Sequence, residues 1–189
     1  YLGGTSLASI RRLGRLAKEP LEQPGPDDHA AILFTSGSTG PPKGVEYLHR
    51  HFAAQVEMIR SLYDIQPGEV DLPTFPLFGL FDPALGMSSV IPKMDFTRPA
   101  KADLQHLSTL IETFGVTNMF GSPALLNTFG RYLAKGSKGL DSLKRVISAG
   151  APVPADTMDR VLRAVPGAVV HTPYGATECL PVASISSDE

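Results

Sequence analysis

The sequence predicts an α/β fold, with a mostly parallel sheet and flanking helices, on three observations. Short apolar runs alternate with stretches whose apolar residues recur at helical spacing. Each run ends in a Gly-, Ser- or Pro-rich breaker, the punctuation of strand–loop–helix units. And 42% hydrophobic against 19% charged residues over 189 positions is enough to bury a core. Eighteen glycines and 17 prolines, above average usage, predict a loop-rich chain.

The elements follow in order. Leu7, Ile10, Leu13 and Leu16 recur between Arg11, Arg12, Arg15 and Lys18, which predicts a basic amphipathic helix over 7–19. Such a helix can make weak contact with an anionic membrane surface; a surface helix with solvated charges is the commoner case, and Gly14 weakens it. Residues 20–28 (PLEQPGPDD) read as a linker. Ala30–Thr35 is a strand that runs into a glycine-rich loop and then a helix whose face is Leu48, Phe52, Val56, Ile59 and Tyr63. Val70–Phe75 is a strand, followed by a broken apolar segment to about Pro92. Leu104, Leu107, Ile111 and Phe114 mark a helix and Val116–Phe120 a strand. Ser122-Pro123 reads as an N-cap with proline at the first helical position, opening a helix toward Ala134. Val146–Ser148, Ala155–Ala164 and Ala168–His171 are strand, helix and last strand. In such sheets ligands gather beyond the carboxyl ends of the strands.

Charge and cysteine content narrow the partners. Seventeen basic and 19 acidic residues leave a net charge of −2, which argues against nucleic acid. One cysteine, Cys179, excludes a disulfide framework and a multi-cysteine metal site and fits a cytoplasmic setting; a buried, unreactive thiol is expected there, with no partner for a nucleophile. No apolar run approaches the ~18–20 residues of a transmembrane helix, and the start does not resemble a secretory signal. A first residue Tyr1 rather than Met fits a segment of something longer.

The most informative stretch is TSGSTGPPKG, residues 35–44. After a strand and before a helix, its backbone N–H groups can converge on an anion, four hydroxyls add donors, and Lys43 adds a compact positive charge. Phosphate fits best. The Walker loop is excluded, because Pro42 precedes the lysine and Gly44 follows it, and Ser38 is not in a GxSxG elbow.

These residues resemble the phosphate loop of the adenylate-forming (AMP-binding) superfamily, whose pattern [ST][SG]G[ST][ST]GxPKG is matched throughout. Ser148–Pro154 (SAGAPVP) resembles that superfamily's adenine-lining turn, and Tyr174–Glu178 (YGATE) matches its YGxTE motif. Within it, residues 73–86, 92–103, NMFGSPALL and YGATECLPVAS look like the olefin-biosynthesis branch, whose members are β-lactone synthetases acting on long-chain β-hydroxy acids. The resemblance implies that residues 1–27 are a lead-in helix and linker and 28–189 the central part of the AMP-binding N-terminal domain.

It also implies roles. Thr35, Ser36, Gly37, Ser38, Thr39, Gly40 and Lys43 would hold the β- and γ-phosphates of ATP. Gly150, Ala151 and Pro152 would line the adenine, and Tyr174 would stack on it beside Gly175 and Ala176. Thr177 would bond the α-phosphate and Glu178 would bind Mg²⁺, with Lys43, Thr177 and Glu178 as the catalytic set. Without the upstream loop, Tyr174 reads as an ordinary strand-end aromatic and Glu178 as a solvated carboxylate.

The small-molecule acyl substrate is expected against Phe78, Gly79, Phe81, Asp82, Phe120 and Gly121, with Phe75 and Met119 nearby; aromatics at this spacing also suit plain core, and Asp82 also suits a helix cap. Gly79 stands where many superfamily members carry histidine, which weighs against ordinary CoA-thioester formation. His171 is a candidate base for ring closure, against a structural role.

The expected activity is ATP-dependent adenylation of a long-chain β-hydroxy acid, closing to a β-lactone. The alternatives are a fatty acyl-CoA ligase and a non-catalytic nucleotide-binding module. The resemblance further implies a C-terminal domain as an obligate partner, with other olefin-pathway enzymes as further partners, and a segment inactive by itself.

Overall fold

The structure, a computed structural model, describes residues 4–17, 22–35, 41–136 and 140–189. It opens on α1 (Leu7–Leu16), capped by the Ser6 side chain and without a buried residue. The charges of this helix are solvated, and it ends at Leu16, short of residue 19.

Two sheets follow. The first is a hairpin in which β1 (His29–Thr35) pairs antiparallel with β2 (Lys43–Leu48), and Thr35 lies opposite Lys43. The next helix, α2 (His49–Tyr63), begins only after β2. The phosphate-type loop therefore joins two strands instead of leading into a helix, and Leu48, expected on the helix face, ends a strand. Val45 and Tyr47 turn inward between exposed Gly44 and Glu46, the period of two that a half-buried strand requires.

The second sheet has six strands, in the order β4-β3-β5-β6-β7-β8. These are β3 (Val70–Pro73), β4 (Ser88–Ser89), β5 (Asn118–Phe120), β6 (Arg145–Ile147), β7 (Val169–Ala176) and β8 (Cys179–Ser186). Pairing is parallel from β4 to β7, and β8 returns antiparallel. The last strand thus runs beyond His171 through the YGATE motif, and a further strand follows it. Pro181 hides β8 from a pattern reading, yet β8 is the edge of the described sheet, where proline costs no ladder bond on the open side.

The helices α4 (Leu104–Phe114), α5 (Pro123–Leu133) and α6 (Ala155–Ala164) form as the caps predict. Asp103 accepts from the His106 N–H at 3.0 Å and Ser122 from the Leu125 N–H at 3.3 Å, with Pro123 first in its helix. They cover one face of the sheet. There Leu72, Met119, Val146 and Val170 stand in register, each no more than 1% exposed, and pack with Leu107, Ile111, Leu125, Phe129 and Val161. On the other face α2 and the one-turn α3 (Asp82–Leu85) bury Tyr63, Ile65, Leu85 and Met87.

The two faces carry opposite steps of the chain. From β5 to β7 the strands advance one way beneath α5 and α6, whereas β3 to β4 steps the other way past α3. Right-handed crossovers demand this, so the winding reverses at β3 and a crevice opens outside the ends of β3 and β5.

Beneath that crevice, on the α2 face, runs a buried polar row. Asp71, Asn118 and Arg145 are in register. Asn118 donates to the Asp71 carboxylate, and the Arg145 guanidinium meets Glu69 Oε2 at 2.9 Å. Burial pushes the Glu69 carboxyl up, but Arg145, the Gln66 N–H and the Thr117 hydroxyl outweigh it and hold it below its ordinary value. Asp82 faces Asp71 and accepts from the Ser89 hydroxyl, so it caps no helix. Burial and the Asp82 charge push Asp71 up to about 8, against the Asn118 hydrogen bond, and burial raises Asp82 as well. Among the described residues, no helix is long and apolar enough to cross a membrane.

Two outcomes are expected of the intact protein. Folded Asp71 keeps a proton that the unfolded chain releases near pH 4, so its contribution to stability falls as pH rises from about 4 to about 8. Asp71→Asn should flatten that decline in urea melts at pH 5–8; an unchanged slope would refute the assignment. At the β7–β8 turn, a Cβ on Gly175 would lie 2.9 Å from the Cys179 carbonyl oxygen and run into Leu180. Gly175→Ala should therefore cost about 1–3 kcal/mol, read as a lower urea midpoint.

Candidate active site

The crevice holds an aromatic cavity of about 270 Å³, lined by Thr74, Phe75, Phe78, Phe96, Pro99, Phe120, Ser122, Ala149 and Gly150. It sits where β3, β5 and β6 end. The Phe78 ring lies 4.4 Å from Phe120 and 5.5 Å from Phe75, and the Thr74 hydroxyl donates to the Phe120 carbonyl at 2.7 Å, tying the floor across two strands. The volume falls just short of the ~300–1,000 Å³ of ligand pockets, enough for the head of a substrate. A larger groove of about 390 Å³, lined by Asn127, Arg131 and Arg160 between α5 and α6, takes Pro152 and Pro154 from the adenine-lining motif.

Of the expected pocket residues, Phe78 and Phe120 line the cavity, and Gly121 follows Phe120 with its N–H bonded to the Ile147 carbonyl at 2.9 Å. Phe81 and Asp82 point elsewhere. Phe81 packs on the Tyr63–Met87 cluster, with its ring 6.1 Å from Phe52, and Asp82 is sunk against Asp71. Met119 faces the opposite core, because side chains alternate along β5. A Cβ on Gly79 would lie 3.0 Å from Pro73 Cγ and 3.5 Å from Asp82 Oδ2, so a histidine ring there would need the local chain to shift.

The nucleotide motifs collect at the neighbouring strand ends. Ile147 and His171 are in register; Gly150 stands three residues on, in the loop that leaves β6, and Tyr174 three residues on along β7. Gly150, Ala151 and Pro152 are exposed, and the Tyr174 ring is 72% exposed, a free surface for stacking. Ala176 pairs with Cys179, which places Thr177 and Glu178 at the turn. Glu178 is exposed and forms no ion pair with the described residues.

The hairpin docks against this turn. Tyr47 of β2, 4% exposed and stacked on Phe52 at 5.0 Å, donates its hydroxyl to the Thr177 carbonyl. Gln55 of α2 donates to the Leu180 carbonyl at 3.1 Å. Thr35 and exposed Lys43 flank the loop at the paired end of the hairpin; Ser36, Gly37, Ser38, Thr39 and Gly40 lie outside the described residues.

One further expectation changes. Cys179 is exposed, because it starts β8 directly after the turn instead of sitting in a core. His171 does not line the cavity; its ring meets Tyr63 edge-on at 5.0 Å, and burial and then the Arg145 charge lower its pKa. Tyr47 and Gln55 carried no motif, and Phe96, within the 92–103 stretch, carried no expected role. Only the period-two pattern of β2 could have marked Tyr47 as inward-facing.

The donor set fits Mg²⁺ with ATP. No group of three His, Cys, Asp or Glu side chains converges among the described residues, so an all-protein metal cage is absent there. Mg²⁺ asks for less: one or two carboxylates, with phosphate oxygens and waters completing its shell, which unpaired Glu178 can satisfy.

Residues 5–189 match the family model described as AMP-binding enzyme. The chain is 55% identical over 184 residues to an olefin beta-lactone synthetase of Xanthomonas campestris pv. campestris, covering 97% of this chain and 32% of that protein. It is 30% identical over 165 residues to 4-coumarate–CoA ligase 1 of Oryza sativa subsp. japonica, covering 85% and 29%. The chain thus spans about a third of the length of these relatives. In structure it is similar to VinN in complex with L-aspartate, with a TM-score of 0.78, 25% identity, and 94% of this chain matched to 45% of that one. The chain belongs to the AMP-binding enzyme family, the adenylate-forming superfamily its phosphate loop resembles.

Proposed function

We propose that the intact protein uses ATP to adenylate a long-chain β-hydroxy acid and closes the acyl adenylate to a β-lactone. The observation that carries this reading is the docking of the loop-bearing hairpin onto the Thr177–Glu178 turn, beside an aromatic cavity at the same sheet edge. The 55% identity to an olefin beta-lactone synthetase supports the product class.

The chemistry has two steps. A carboxylate oxygen of the acid attacks the α-phosphorus and pyrophosphate leaves; the β-hydroxyl oxygen then bonds to the acyl carbonyl carbon as the acyl–phosphate bond breaks, and AMP leaves with the hydroxyl proton on its phosphate. In the first step Lys43 and the hydroxyls and amides of 35–40 oppose the charge of the departing pyrophosphate, and Thr177 orients the α-phosphate. Glu178 binds Mg²⁺, which, when present, neutralises phosphate charge. Tyr174 and Gly150–Pro152 hold the base. The phenylalanine-lined cavity takes the carboxyl-bearing end of the acid and excludes water, so that ring closure competes with hydrolysis. No thiol is needed, in keeping with Gly79 standing where many superfamily members carry histidine. A second reading, an acyl-CoA ligase, draws on the 30% identity to 4-coumarate–CoA ligase 1.

Full-length protein given ATP and a long β-hydroxy acid, with and without CoA, separates the readings. CoA-independent AMP release with a lactone product is expected. Strict CoA dependence would favour the ligase, and ATP binding without pyrophosphate release would mean a non-catalytic module. Lys43→Ala should slow ATP–pyrophosphate exchange by roughly 10²–10³-fold, and Glu178→Ala should abolish Mg²⁺-dependent turnover. Normal rates in both variants would remove the site assignment.

A further inference from the structure

We propose that Tyr47, with Gln55 as a second anchor, is a positioning residue that sets the Thr177–Glu178 turn for MgATP. The proposal rests on the adenylation reading above. Among the described residues the two sheets share no strand pairing, so no backbone ladder there fixes the distance between Lys43 on the hairpin and Glu178 on the turn. A two-residue turn with an exposed carboxylate has little packing of its own to hold it.

Both anchors reach across this gap to backbone carbonyls. The Tyr47 hydroxyl donates to Thr177, 130 residues away in sequence, and Gln55 donates to Leu180, 125 residues away. Each anchor is itself held: Tyr47 by stacking on Phe52 and an edge contact with His51 at 6.0 Å, and Gln55, 8% exposed, by its place on α2. A buried hydroxyl has few alternative acceptors, so the Thr177 carbonyl is kept pointing at β2. Its orientation in turn sets the direction of the Thr177 side chain and of the Glu178 peptide that follows. Tyr47 touches no expected substrate atom, and its effect runs through the turn. Lys43 and Tyr47 lie on the same six-residue strand, so the strand that carries the phosphate-side cation also fixes the metal-side carboxylate.

The test uses the full-length enzyme carrying Tyr47→Phe, which keeps the stacked ring and removes only the hydroxyl. Calorimetric titration should show MgATP binding weakened about tenfold, and ATP–pyrophosphate exchange should slow about 10–100-fold, the usual effect of losing a group that orients a metal ligand. The KM for the acyl acid should be unchanged and the thermal midpoint should stay within a few degrees of wild type. Gln55→Leu should show the same pattern and decides the matter if Tyr47→Phe does not fold. Wild-type MgATP affinity in the folded variants, or a loss shared equally with the acyl KM, would overturn the proposal. Glu178→Ala in the same assays separates the two levels. If it is inactive while Tyr47→Phe behaves as wild type, only the positioning role falls; if it exchanges normally, the metal assignment to Glu178 falls; and if the wild-type enzyme shows no exchange, the adenylation reading falls.

Discussion

The organisation of this molecule depends on a junction without a backbone ladder. The hairpin and the six-stranded sheet are hydrogen-bonded units that share no strand pairing among the described residues. They are held together by α2, which begins at the end of β2 and packs its apolar face on the sheet, and by two side chains that donate to carbonyls of the β7–β8 unit. Ladders fix strand distances within fractions of an ångström. A junction made of one helix and a few side-chain hydrogen bonds, that of Tyr63 to the Ser184 hydroxyl among them, leaves that spacing to the identity of a few residues.

The main sheet supplies the rigid partner. Its apolar row of Leu72, Met119, Val146 and Val170 is sealed by three helices, while the preceding residues on β3, β5 and β6 form the polar row of Asp71, Asn118 and Arg145, with Arg145 paired to Glu69. Buried charge of this kind adds little net stability when paired and costs about 3–5 kcal/mol when one partner is removed. Above this layer the strand ends are tied from β3 to β5 by Thr74 on the Phe120 carbonyl and from β5 to β6 by the Gly121 N–H on the Ile147 carbonyl. The reversal of winding at β3 then opens the crevice at the one edge where Thr74, Phe78 and Phe120 can meet.

Much of this was legible in the chain. Caps at Asp103 and Ser122 placed two helices, and proline at 154 placed the start of a third. The parallel core strands stood out as short runs between breakers, although β3, β5 and β6 each carry one polar residue, Asp71, Asn118 or Arg145, on the α2 face. What escaped were elements of mixed character. β2 is short and merges into the helical register of Phe52, Val56 and Ile59, while β8 carries a proline tolerated only because its outer side is unpaired. Phe81 and Asp82 are adjacent in sequence to cavity residues, yet the one-turn helix that starts at Asp82 rotates both away from it.

By itself, then, the sequence determined the alternation of strands and helices, the phosphate-type loop, and the motif chemistry of residues 35–44, 148–154 and 174–178. Those properties are local: spacing, capping and residue type act over a few positions. Tertiary structure alone decided which aromatics share the cavity, that Cys179 faces solvent, that Asp71 and Asp82 share a buried space, and that Tyr47 meets Thr177. Each of these contacts joins residues on different elements or depends on the turn between them. Only packing selects such pairings, because the free energy of a long-range contact depends on everything that brings its two partners within reach.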